Sequence, residues 1–144
     1  MEKEKILVSA CFIHEGYKYS GGANLNEKII RLAEKYEFIL ICPEVFGGLP
    51  TPRVPSEIVG NRVLNSIGGD VTEAFTKGAI MALELAKKHG CKKAILKGRS
   101  PSCGKGYVYD GTFSHKVVEG NGVAAKLLID NGITVYTEDE LENL

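Results

Sequence analysis

The chain has 144 residues, with 18 Lys and Arg against 18 Asp and Glu, and so carries no formal net charge. Its composition, 44% hydrophobic and 25% charged, is that of an ordinary globular domain, at the length where one compact domain is commonest. There is no excess of basic residues for a nucleic acid, no apolar run near the roughly 20 residues of a membrane helix, and no signal-peptide core at Met1 to Ile6, so a cytoplasmic protein is expected.

Residues 5–10 are a short apolar run rich in β-formers and predict a buried strand, which leads through Cys11 into a polar loop. Residues 24–36 place Leu25, Ile29, Ile30, Leu32 and Ala33 at helical spacing behind Asn24 as a cap. A second buried strand at 38–41 ends at Cys42-Pro43. With Pro43, Pro50, Pro52, Pro55 and Gly47-Gly48, residues 43–55 predict a rigid loop, neither helix nor central strand. Residues 58–67 have weak β character, with Gly60-Asn61 inside them, and predict a small hairpin or an irregular excursion.

Residues 70–89 carry the strongest helical pattern. Asp70 is the expected N-cap, Val71, Phe75, Ala79, Ala82, Leu83 and Ala86 share a face, and Gly90 lies just past the end. A third strand is predicted at 92–96, followed by a loop of small residues at 97–105. Residues 107–113 predict a short extended piece with a turn at Asp110-Gly111. A helix at 121–131, a fourth strand at 133–136 and a short helix at 138–144 complete the chain. This alternation implies an α/β fold: a single three-layer domain over residues 1–144, with a mostly parallel sheet of about four or five strands flanked by helices.

Four cysteines punctuate this pattern without any CxxC pair: Cys11, Cys42, Cys91 and Cys103. In a reducing compartment they are not expected to form structural disulfides. Cys11 and Cys42 follow the first two strands directly, and Cys103 lies in the loop after the third. Open α/β sheets bind ligands outside the carboxyl ends of their strands, so these three converge on one sheet edge. Cys91 precedes its strand and belongs on the far edge, where packing is its expected role. Three soft thiolates on glycine- and proline-rich loops suit zinc, copper(I) or an iron–sulfur cluster; the rival is a single catalytic cysteine, Cys103. His14 is a possible fourth ligand.

At these residues the chain resembles a known family, the small bacterial and archaeal proteins of domain of unknown function 523, typified by thiouracil desulfidase. The resemblance runs through Val8-Ser-Ala-Cys11, Cys42-Pro-Glu44, Gly47 to Arg53, Glu57-Ile58, Gly69 to Thr72, Gly78-Ala79, Ile95 to Lys97, Ser100 to Gly104, Tyr109 to Phe113, Gly120 to Val123 and Asn131 to Ile133. It implies an oxygen-sensitive [4Fe-4S] cluster held by Cys11, Cys42 and Cys103. The open iron would act as Lewis acid and thiophile in non-redox removal of sulfur, as hydrogen sulfide, from a thiolated pyrimidine such as 2-thiouracil. The first loop departs from the family pattern at Tyr17, Lys18 and Ser20, where small or apolar, Arg and Asp residues are usual.

Such a reaction needs a proton carrier and polar contacts to substrate. Glu44 is the expected general acid or base, with a structural pair to Arg53 or Lys97 as its alternative. Ser100 is expected to contact substrate, and Ser102 to close the turn. Arg53 and Lys97 can neutralise a cluster or hold an anionic group, whereas Arg99 reads as solvated charge. Tyr17 and Tyr19 either stack on a flat base or pack the first loop. Asp110 reads as a turn residue, and His89 as compensation for a helix dipole. The alternatives to the enzyme are a non-catalytic carrier of sulfur or of the cluster, and a zinc- or thiol-based protein.

Overall fold

A computed structural model describes residues 3–144. The chain runs β1 (Glu4–Ser9), a 3₁₀ turn (Ala10–Phe12), α1 (Glu27–Arg31), a second 3₁₀ turn (Leu32–Glu34), β2 (Tyr36–Ile41) and α2 (Pro43–Phe46). A hairpin follows, β3 (Ser56–Val59) and β4 (Arg62–Asn65), then α3 (Thr72–His89) and β5 (Lys93–Leu96). The rest is β6 (Tyr107–Tyr109), β7 (Val117–Glu119), α4 (Val123–Asp130), β8 (Thr134–Thr137) and a last 3₁₀ turn (Leu141–Asn143).

Four strands make one parallel sheet in the order β2-β1-β5-β8. Alternation along β1 sends successive side chains to opposite faces. Ile6 and Val8 join Phe12, Ile29, Tyr36 and Ile95 on one face, while Leu7 joins Ile41, Ala82, Ala86, Leu96 and Leu128 on the other. The second face is covered by α3 and α4, and the first by α1 with Leu141 and Leu144 of the C-terminal segment. This is the expected α/β sandwich of three layers, and each fully buried aliphatic side chain contributes about 1.5–3 kcal/mol. No helix is long and apolar enough to cross a membrane among the described residues.

Several elements depart from the sequence expectations. The helix expected over 24–36 is only α1, capped by Asn26, whose Oδ1 accepts the Ile29 N–H at 3.1 Å. Asn24 instead donates its backbone N–H to the Cys11 carbonyl at 2.7 Å. The chain then tightens into a 3₁₀ turn because Tyr36 already belongs to the core and begins β2. The expected loop at 43–55 opens with the single helical turn α2, and Pro43 occupies a first-turn position, where a missing N–H costs nothing.

The β3–β4 hairpin forms as expected, with Gly60 at φ 63°. β7, which the sequence did not announce, pairs antiparallel with β6; all three of its residues are exposed, so it lacks the alternation that reveals a half-buried strand. Asp70 is not the N-cap of α3 that the sequence suggests: Val71 occupies that position without a side-chain cap, and Asp70, one residue before it, accepts the Thr72 N–H at 2.9 Å and pairs with Arg62.

Candidate functional site

The strand order brings the carboxyl ends of β2, β1 and β5 side by side, and each of these ends leads to a cysteine. Cys11 lies in the turn after β1, Cys42 is the N-cap residue of α2 after β2, and Cys103 follows β5 by one loop. All three line one cavity of about 510 Å³, together with Glu44 and Ser100. Cys91 precedes β5 and is buried at the opposite end, beside charges of Lys5, Glu37 and Glu4.

Close backbone approach fixes the two loops that carry Cys42 and Cys103. A Cβ on Gly78 of α3 would lie 1.7 Å from the Pro43 carbonyl oxygen, and one on Gly47 would lie 1.9 Å from that of Ala74. Only glycine at both positions lets α3 pack directly on the turn bearing Cys42. The Cys103 loop is held in a different way, by the N-terminus of α4. Val123 donates its N–H to the Pro101 carbonyl and Ala124 to that of Ser102, both at 2.9 Å. A Cβ on Gly122 would stand 2.5 Å from the Ser102 oxygen, so glycine is again required.

Ser100 performs the turn-closing role expected of Ser102. Its Oγ accepts the N–H groups of Ser102 at 3.1 Å and Cys103 at 3.0 Å. Ser102 is fully buried, and its hydroxyl has no hydrogen-bond partner among the described residues. Glu44 pairs with Arg53 at 3.0 Å, and both side chains are largely buried. The remaining Arg53 donors reach the Pro50 and Tyr17 carbonyls and the Thr51 hydroxyl. Lys97 pairs with Glu138 at 2.8 Å, so the partner of Glu44 is Arg53 alone of the two cations considered.

Each thiol at the site is raised above the ordinary cysteine value, chiefly by burial. Asn24 and Lys97 oppose this at Cys11, the Val45 N–H and Arg53 at Cys42, and a hydrogen bond with Ser9 at Cys103. Ser9 is itself fixed, its Oγ accepting the Lys97 N–H at 3.0 Å. Buried thiols of this kind ionise readily only when a cation compensates them, as a metal centre does. Among the described residues, no three His, Cys, Asp or Glu side chains close on one point as ligands of a single ion. A lone zinc, with bonds of about 2.3 Å to sulfur, would draw its thiolates within about 4 Å of one another. Three soft donors lining one cavity, near enough for Cys11 and Cys42 to act on Cys103, suit an iron–sulfur group.

His14 is exposed and does not line the cavity, so it is not placed as a fourth ligand. Arg99 is exposed and also lies outside the lining, as a solvated charge should. Tyr17, Lys18 and Tyr19 line the cavity, whereas Ser20 does not. Asp110 is the expected turn residue, accepting the Thr112 N–H at 2.9 Å. Another part of the lining was missed by residue-level reasoning: it holds Ser56, Glu57, Ser66, Tyr109, Phe113 and His115. The one available signal was the positive φ that a turn at Asp110-Gly111 demands, and it extends to Phe113 and His115.

Residues 6–140 match the family model described as 2-thiouracil desulfurase. YbbK of Bacillus subtilis (strain 168), described as uncharacterized, is 40% identical over 149 residues, covering 96% of this chain and 99% of that protein. The solved structure of TudS, a [4Fe-4S]-dependent thiouracil desulfidase, is 42% identical with a TM-score of 0.93, covering 99% of this chain and 95% of that one. By the extent of these matches, the chain belongs to the 2-thiouracil desulfurase family.

Proposed function

We propose that this protein is an iron–sulfur-dependent desulfidase that converts a thiolated pyrimidine such as 2-thiouracil, with water, into the oxo-pyrimidine and hydrogen sulfide. The observation that carries the reading is the delivery of Cys11, Cys42 and Cys103 to one cavity, in a chain of this family. These three residues would hold a [4Fe-4S] cluster and leave one iron without a protein ligand. When bound, the cluster supplies a Lewis acid and thiophile for the carbon–sulfur bond. The net reaction exchanges sulfur for oxygen on one carbon, with no change in oxidation state.

The chain's own residues supply the rest. Arg53 holds Oε1 of Glu44 and so aims the carboxylate at the cavity, where it takes a proton from the attacking water and returns it toward the departing sulfur. The Ser100 oxygen is occupied by two N–H groups, which leaves its proton to donate into the cavity toward substrate. Tyr17 and Tyr19 offer aromatic faces to a flat ring. Free thiols and an oxygen-sensitive cluster suit the cytoplasm.

The test is anaerobic reconstitution with iron and sulfide, followed by a sulfide-release assay on 2-thiouracil. Several sulfides released per cluster establish the enzyme. A cluster that forms and passes to an acceptor without turnover establishes the carrier reading instead. A colourless protein that takes up zinc and no iron removes both.

A further inference from the structure

The wall of the cavity contains a buried acid that the chemistry above does not use. Glu57 on β3 is 7% exposed and borders the cavity. Among the described residues, no cation pairs with it. Its Oε1 accepts two backbone N–H groups, from Gly111 at 2.9 Å and Phe113 at 3.2 Å. Both donors belong to the turn between β6 and β7.

That turn is tight and strained. A Cβ on Gly111 would lie 2.7 Å from the Ile58 carbonyl oxygen. Phe113 and His115 sit at φ 57° and 63°, in the left-handed region that bulky L residues rarely adopt. Such conformations persist where the surroundings over-determine them; within the turn Asp110 accepts the Thr112 N–H, and from outside it the Glu57 carboxylate accepts those of Gly111 and Phe113. Phe113, His115 and Tyr109 are thereby fixed as cavity wall. Oε2 of Glu57 makes no hydrogen bond with the described residues and is not sealed from solvent, since among those residues Ser102 Oγ is the only sealed side-chain polar atom without a partner. The space that Glu57 borders is the cavity.

We propose that Glu57 determines specificity: Oε1 fixes the Phe113 wall, and Oε2 accepts a ring N–H of the pyrimidine. A carboxylate oxygen of this kind accepts and does not donate, so it selects a ring edge that carries a donor. 2-Thiouracil presents two such N–H groups, one on each side of its thiocarbonyl carbon. The identity of the ligand rests on the desulfidase reading; the contact itself does not depend on the cluster.

The test uses uracil, which keeps both ring N–H groups and lacks the sulfur, titrated calorimetrically into reconstituted protein. Glu57→Gln keeps a carbonyl acceptor for the turn and replaces the other oxygen by a donor. It should weaken uracil binding about 10- to 100-fold, the scale of a hydrogen bond to a charged group. In the wild type, 1-methyluracil or 3-methyluracil should lose a similar factor, and in Glu57→Gln that penalty should shrink to under about threefold, as a double-mutant cycle requires. Unchanged uracil binding in the variant overturns the proposal, as does a methyl penalty of equal size in both proteins, which marks a steric effect. If the variant does not fold, wild-type protein that binds 1,3-dimethyluracil as tightly as uracil overturns it alone. Glu57-dependent uracil binding without sulfide release from 2-thiouracil would remove the desulfidase reading and leave this contact standing; sulfide release with uracil binding indifferent to Glu57 would do the reverse.

Discussion

At the scale of single residues, the site rests on which cysteines the sheet brings together. Cys11→Ser, Cys42→Ser and Cys103→Ser should each reduce iron and acid-labile sulfide to background after anaerobic reconstitution, because a hydroxyl is a poor ligand for soft iron. Cys91→Ser should retain a full complement, since Cys91 lies at the other end of β5. Cluster loss in Cys91→Ser would refute the division of the four thiols by strand end. Glu44→Gln should keep the cluster and lower kcat about 10²- to 10⁴-fold, the usual contribution of a positioned acid or base. The cysteine division was legible because it needed only strand order and strand direction. The turn-closing serine was not, because Ser100 and Ser102 have the same chemistry two residues apart, and only the path of the turn decides which oxygen meets two N–H groups.

At the scale of elements, the cysteine-bearing turns depend on helices touching backbone to backbone. Gly78→Ala puts a methyl group 1.7 Å from the Pro43 oxygen, so α3 or the Cys42 turn must move. Overpacking of this kind costs about 1–3 kcal/mol, read as a lowered denaturant midpoint, and iron content should fall with it. Gly90→Ala is the control: its φ of 67° makes alanine strained, yet a Cβ there meets nothing within 4 Å and the site is distant. It should destabilise the protein while sparing the iron. Helices and strands with a buried face, α3 and β1 above all, were readable from their periodicity. The hairpin of β3 and β4 was readable too, but not that β3 meets the turn after β6 to form cavity wall, because the bond that joins them runs from Gly111 to Glu57, 54 residues earlier.

At the scale of the molecule, the cavity exists only when distant segments are joined. The loop bearing Cys103 is bracketed by Lys97 and Lys105, and both reach to the segment after β8, Lys97 to Glu138 and Lys105 to Glu140, each at 2.8 Å. Burial raises the pKa of each glutamate, but the lysine and backbone hydrogen bonds outweigh it, and both lie below the ordinary 4.5. A carboxylate with a depressed folded-state value stabilises the protein above its unfolded value and loses that contribution as pH falls through the folded one. Cluster-free protein should therefore lose thermal stability as pH drops below 4.5, from protonation of these two groups among others. The double variant Glu138→Gln, Glu140→Gln should melt at a lower temperature at pH 7 and show a shallower decline over the acid range. Parallel curves for the two proteins would mean that the bracket adds nothing to stability. A bracket that does contribute also has a consequence for the holoprotein. The bracket holds the loop that carries Cys103, so at neutral pH the double variant should loosen that residue and lose iron faster to a chelator, while Cys11 and Cys42 keep their places after β1 and β2.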